Sequence, residues 1–116
     1  TVYRYAVTSM SDDVKEIMKR NNLQEADVNW VVPHEANMRI IEAVTKRLDI
    51  PMEKVMINIE HYGNTSAASI ALALWDFEHK LKKGDNVIIT AFGAGFVHGA
   101  AFLKWGYDGA EAAKKA

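Results

Sequence analysis

Cysteine is absent from these 116 residues. Without it the chain holds no disulfide, no thiolate metal site and no cysteine nucleophile of its own. An excess of charge is also lacking: 14 basic residues meet 15 acidic ones, for a net charge of −1. That balance argues against bulk electrostatic binding to nucleic acid or to an anionic membrane. No apolar run reaches the roughly 18 residues that a membrane helix needs. The N-terminus shows no basic region followed by an apolar stretch, so no signal peptide is visible. An initiator methionine is lacking too, and Thr1 falls inside a helical pattern; the chain is expected to be a piece of a longer protein. What is present suits a soluble domain with one core: 49% apolar and 25% charged residues. A cytoplasmic location is expected.

Apolar residues recur every three to four positions over residues 2–21, at Val2, Ala6, Met10, Val14, Ile17 and Met18, which is one face of a helix. Ser11-Asp12-Asp13 interrupts the pattern in the manner of a cap, so two helices, or one kinked helix, are expected. Asn21-Asn22 is a stop signal. Val28 to Val32 is a short β-rich run, expected to end at Pro33, which cannot donate to a ladder. Met38 to Leu48 is amphipathic, with a stripe of Ile40, Val44 and Leu48, and Asp49-Ile50-Pro51 ends it. Val55 to Ile57 reads as the next strand. Residues 67–81 read as a helix, small and apolar nearly all round as far as Trp75 and two-sided from Asp76 onward. Val87 to Ala91 is apolar but for Thr90, a run suited to a central strand covered on both faces. Gly93-Ala94-Gly95 makes a tight turn, and Phe96 to Trp105 returns as a last strand. The alanine- and lysine-rich tail from Gly106 is expected to be loose. The order α-β-α-β-α-β-β predicts a mostly parallel sheet with crossovers, closed by one antiparallel hairpin.

Two strand-to-helix corners carry the candidate chemistry. One is Pro33-His34-Glu35-Ala36-Asn37; the other is Glu60-His61-Tyr62-Gly63-Asn64-Thr65-Ser66. Open α/β sheets place ligands at the carboxyl edges of their strands. A histidine near the positive end of a helix dipole tends to stay neutral, and a neutral imidazole can donate a hydrogen bond to a developing oxyanion. Asn64 offers an amide donor from the matching corner. Two such donors on one oxygen would stabilise an enolate or a tetrahedral oxyanion. Backbone N–H groups of the Gly-Ala-Gly turn could form another anion site. Each feature also has a plainer role: His34 as a loop residue, Asn64 as a helix cap, the glycine turn as a strand connection, Arg39 and Lys46 as a solvated helix face. The remaining histidines are not at metal-ligand spacing, so no metal site is expected.

The string Val32-Pro33-His34-Glu35-Ala36-Asn37-Met38-Arg39-Ile40-Ile41 resembles the histidine motif of the β-ketoacyl-acyl-carrier-protein synthase III family. Gly63-Asn64-Thr65-Ser66-Ala67-Ala68-Ser69 resembles its asparagine motif, and Phe92-Gly93-Ala94-Gly95-Phe96 its C-terminal glycine-rich turn. The three follow one another in family order and spacing, and the resemblance covers residues 1 to about 105. It implies a thiolase-like α/β fold in which two similar halves pack together and the whole enzyme forms a homodimer. Residues 1–105 would be most of the second half, without its first strand, and 106–116 a flexible tail.

The resemblance further implies an acyltransferase that starts fatty acid synthesis. A cysteine in the other half takes an acyl group from acyl-CoA, and malonyl on acyl carrier protein is decarboxylated to a carbanion that attacks the thioester. By carry-over, His34 and Asn64 stabilise the enolate, and the backbone N–H of Ala94, where the family commonly has glycine, completes the oxyanion hole. Arg39 matches an arginine that docks the carrier protein, and Lys46 and Arg47 match a basic pair on the same helix. Glu35 stands where glutamine is common and is expected to point away from His34. Acyl-CoA and phosphopantetheine-bearing carrier protein are the implied substrates, with no resident cofactor. Alone, the chain is expected to be inactive for want of the cysteine. The competing expectations are a non-catalytic module for dimerisation or carrier-protein docking, and a polyketide-type or head-to-head condensing enzyme. A nucleic-acid binder is disfavoured by the charge balance and the lack of an aromatic-basic stripe.

Overall fold

A computed structural model describes residues 2–34, 37–57, 74–93 and 98–111. Its regular elements are α1 (Val2–Arg20), β1 (Trp30–His34), α2 (Met38–Arg47), β2 (Asn86–Phe92) and β3 (His98–Lys104), joined by short 3-10 turns.

α1 is one continuous helix of 19 residues, not two and not kinked at Ser11. Ser11 does not cap: it lies on the stripe Val7-Ser11-Val14-Met18 and is fully buried. It is small enough to sit among the larger side chains, while Asp12 stays on the exposed face. Both long helices stop where polar residues can take a left-handed conformation. Asn22 has φ 54° and Asp49 φ 56°. At the first stop, Leu23 N–H reaches Met18 carbonyl at 2.9 Å and Asn22 N–H reaches Lys19 carbonyl at 3.3 Å; at the second, Ile50 and Asp49 bond back to Thr45 and Lys46. These are paired six-to-one and five-to-two bonds, and Leu23 and Ile50 supply the apolar residue after the turn.

The sheet has the order β1-β2-β3. β1 and β2 are parallel, with Val31 opposite Ile88, and β2 and β3 form the expected antiparallel hairpin, with Ile88 opposite Phe102. β1 begins and ends two residues later than the sequence suggests and contains Pro33. The reason is directional. Val31 turns its carbonyl away from β2 to accept Met56 N–H at 2.9 Å. By the two-residue period of a strand, Pro33 turns its missing donor the same way, and the ladder with β2 stays intact. The expected strand at 55–57 is present as a single parallel bridge from Val55 to Val31.

Alternation along the strands builds two cores. On one face Val31 and Ile88 pack with Ala6, Met10 and Val14 of α1 and with Ile40, Val44 and Leu48. On the other, Val32, Val87, Met56 and Leu81 gather Trp30, Leu74, Phe77, Ile89, Leu103 and Trp105. Each fully buried aliphatic side chain contributes about 1.5–3 kcal/mol; β1 and β2 both feed the two cores, and β2, paired on both sides, is the hub. Most of the helix expected over 67–81 lies outside the described residues; its end is helical over 74–77 and tightens into a 3-10 turn, Glu78–Lys80.

The expected loose tail is anchored over its first residues. Gly109 N–H donates to Leu81 carbonyl at 2.8 Å, Lys83 N–H to Asp108 Oδ1 at 3.3 Å, and Tyr107 hydroxyl to Glu78 carboxylate.

Candidate functional site

Parallel pairing brings the carboxyl ends of β1 and β2 to one edge of the sheet. His34 is the last residue of β1 and stands in register with Ala91, two residues before Gly93. The side chain is half-buried. Three residues beyond it the chain turns into α2, capped by Asn37, whose Oδ1 accepts the N–H of Arg39 at 2.9 Å. His34, the N-terminus of α2 and the start of the glycine-rich segment therefore converge at one edge, where ligands of such sheets bind. Asn64 and Ala94, and Glu35 beside His34, lie outside the described residues.

The three basic candidates on α2 separate. Arg39 and Lys46 are seven residues apart, about 20° short of two full turns and roughly 10 Å along the axis. They share one exposed face. Arg47 turns toward the far end of α1, where with Lys15, Lys19, Glu25 and Asp49 it lines an open groove of about 450 Å³. That groove lies at the C-terminal ends of both helices, away from His34. Lys46 and Arg47 also occupy the last turn of α2, where cations complement the helix dipole.

Sequence reasoning missed the contributions of α1 to this edge. The Arg39 guanidinium carbon lies 5.7 Å from the centroid of the Tyr3 ring. Tyr5, half a turn on, meets Phe92 edge-on at 5.7 Å and His98 at 6.0 Å. Phe92 and His98 are register partners at the turn end of the hairpin, where it meets the glycine-rich segment. Tyr3 and Tyr5 fall off the apolar stripe of the helix and belong to no motif; their reach across to other elements depends on how α1 lies on the sheet. Among the described residues no three His, Asp or Glu side chains gather as a metal site, and no described helix is long and apolar enough to cross a membrane.

A family profile described as 3-oxoacyl-[acyl-carrier-protein (ACP)] synthase III C terminal matches residues 18–105. β-Ketoacyl-[acyl-carrier-protein] synthase III 2 of Bacteroides thetaiotaomicron is 64% identical over 109 residues, covering 94% of this chain and 32% of that protein. The crystal structure of 3-oxoacyl-(acyl carrier protein) synthase III from Pseudomonas aeruginosa matches with a TM-score of 0.85 at 45% identity, covering 90% of this chain and 34% of that one. The corresponding synthase from Aquifex aeolicus matches with a TM-score of 0.86 at 43% identity, over 90% of this chain and 34% of that one. The chain spans about a third of the length of the relatives it matches.

Proposed function

Because the chain belongs to the 3-oxoacyl-[acyl-carrier-protein] synthase III family and has its thiolase-like fold, we propose that it supplies the enolate-stabilising side of a decarboxylating condensing site. The nucleophilic cysteine comes from protein outside these residues. Its thiolate attacks the thioester of an acyl-CoA, forming acyl-cysteine and releasing CoA. Malonyl on acyl carrier protein then loses CO2, and the electron pair of the broken bond becomes an enolate. The enolate carbon attacks the acyl-cysteine carbonyl, the thiolate leaves, and 3-oxoacyl carrier protein departs.

His34 carries this reading. It ends β1 beside the end of β2, with the N-terminus of α2 three residues on. In the proposed reaction its ring N–H donates to the thioester oxygen as charge develops there, and the side chain of Asn64 gives a second donor. Both groups act without surrendering a proton, so the site stabilises the oxyanion electrostatically. The backbone N–H of Ala94 stabilises the tetrahedral oxyanion at the acyl-cysteine. Arg39, with Lys46 on the same face, receives the phosphopantetheine phosphate and acidic surface of the carrier protein; Arg47 adds charge from the neighbouring groove. The proposed whole enzyme is a cytoplasmic homodimer that starts fatty acid synthesis and needs no resident cofactor.

The test uses the full-length protein that carries this chain. It is incubated with acetyl-CoA, and peptide mass spectrometry locates the acetyl group. Malonyl carrier protein is then added. An acetylated cysteine that passes its label to a 3-oxoacyl product supports the reading. Acetylation without transfer points to a different second substrate, and no acetylation with any acyl-CoA favours a non-catalytic docking module.

A further inference from the structure

Arg39 occupies the second position of α2, and the first turn of that helix carries no acidic residue. A cation there faces the positive end of the helix dipole and costs a few tenths of a kcal/mol of helix stability. Its backbone N–H is already taken by the Asn37 cap. The placement is therefore explained neither by helix stability nor by a main-chain bond, in contrast to Lys46 and Arg47 at the favourable end. What the guanidinium does have is the face of Tyr3, 5.7 Å away on another helix. Tyr3 sits one turn before Ala6 and Val7, both buried in the first core, so its backbone is anchored even though the residue is 41% exposed.

We infer that Tyr3 is a positioning residue: its ring holds the Arg39 guanidinium ready for the phosphate of an incoming phosphopantetheine-bearing partner. The inference rests on the docking role proposed for Arg39. An exposed arginine samples many rotamers, and ordering it on binding costs affinity. A ring face attracts the cation without neutralising it, as a carboxylate would. The side chain is narrowed to one region and keeps its full charge for the phosphate. The phenolic hydroxyl plays no part; the aromatic face does.

The experiment compares Tyr3→Phe, Tyr3→Leu, Tyr3→Ala, Arg39→Ala and the double variant Tyr3→Ala/Arg39→Ala in the full-length enzyme, with malonyl carrier protein as the varied substrate. Tyr3→Phe is expected to match the wild type. Tyr3→Leu, which keeps apolar bulk without the ring face, and Tyr3→Ala should each raise KM about two- to five-fold, the size of an exposed cation–π contact. Their kcat should be unchanged, and in the Arg39→Ala background the Tyr3 effect should vanish. A rise in KM that persists without Arg39 would mean that Tyr3 touches the partner itself, and overturns the inference. So does a wild-type KM in Tyr3→Leu while Arg39→Ala is impaired. If Arg39→Ala alone leaves KM unchanged, the docking role fails and the inference falls with it.

Discussion

His98 Nδ1 and Asp13 Oδ2 lie 2.6 Å apart, and the pair ties the middle of α1 to the first residue of β3. The ring N–H donates to the carboxylate. Tyr5, two turns earlier on α1, leans on the same imidazole and on Phe92 across the hairpin. One helix thus grips both strands where they enter and leave the glycine-rich segment. The side chains are 31% and 22% exposed, so water screens the pair and its contribution is modest, about 0.5–1 kcal/mol. Asp13→Ala and His98→Ala should each lower the unfolding free energy by that amount, seen as a lower urea midpoint with little change in slope. The double variant should be no less stable than the worse single one. Fully additive losses in this cycle would show that the two groups do not interact.

His34 is open to a sharper test, because the proposed reaction separates into halves. His34→Ala removes a donor to the enolate oxygen but leaves the cysteine and its acylation alone. Decarboxylation of malonyl carrier protein should fall about 10²–10³-fold, the usual loss for one oxyanion donor. Labelling of the cysteine by acyl-CoA should persist. Equal losses in both halves would mean that His34 supports the architecture of the edge and not the enolate.

Much of this arrangement was legible in the sequence. Val87 to Ala91 read as a central strand because its residues are apolar on both faces, and Val87 and Ile88 do feed separate cores. Asn21-Asn22 and Asp49-Ile50-Pro51 read as stops, and the structure supplies the reason: Asn22 and Asp49 take the left-handed turn that asparagine and aspartate tolerate. Ser11 misled, since a serine before two aspartates looks the same whether it caps a helix or packs within one; only the neighbouring helix-to-sheet contact decides. Pro33 misled for a related reason: a missing donor ends a strand only if it faces the paired side, and sequence does not say which side that is. For the site, His34 and Arg39 were visible as motif residues. The Tyr3–Arg39 and Asp13–His98 contacts were not, because each joins elements far apart in the chain.

Gly109 gives a test of the anchored tail. A Cβ built on it would lie 1.7 Å from the Glu78 carbonyl oxygen and 2.7 Å from the carbonyl carbon. Backbone cannot yield that far, so Gly109→Ala must lift the segment and break the bond to Leu81. The expected cost is about 1–3 kcal/mol, as for other overpacked contacts. It should appear as a lower melting temperature and as faster hydrogen exchange at the Lys83 amide, which bonds to Asp108. Unchanged exchange at that amide would mean that the segment does not hold the 78–83 turn.

Tyr107 makes the same anchor sensitive to alkali. Its hydroxyl donates to Glu78; that bond, helped by slight desolvation and by the carboxylate charge, pushes the phenol above its ordinary range. The neutral form is therefore favoured in the folded state. Its stabilisation is fully present below the ordinary tyrosine pKa of about 10 and is lost as pH rises through the raised value in the fold. Comparing the phenolate absorbance of the wild type with that of Tyr107→Phe should show Tyr107 ionising above the ordinary tyrosine range. Tyr107→Phe should remove that late step, and Glu78→Gln should return Tyr107 toward the ordinary range while keeping a hydrogen-bond acceptor in place. The anchor should loosen over the same pH interval, read as faster proteolysis near residue 106 in the wild type. In Tyr107→Phe, which lacks the bond at every pH, cleavage should be faster at neutral pH and show no alkaline step. If Tyr107 ionises in the ordinary tyrosine range, the bond to Glu78 does not hold the tail in solution.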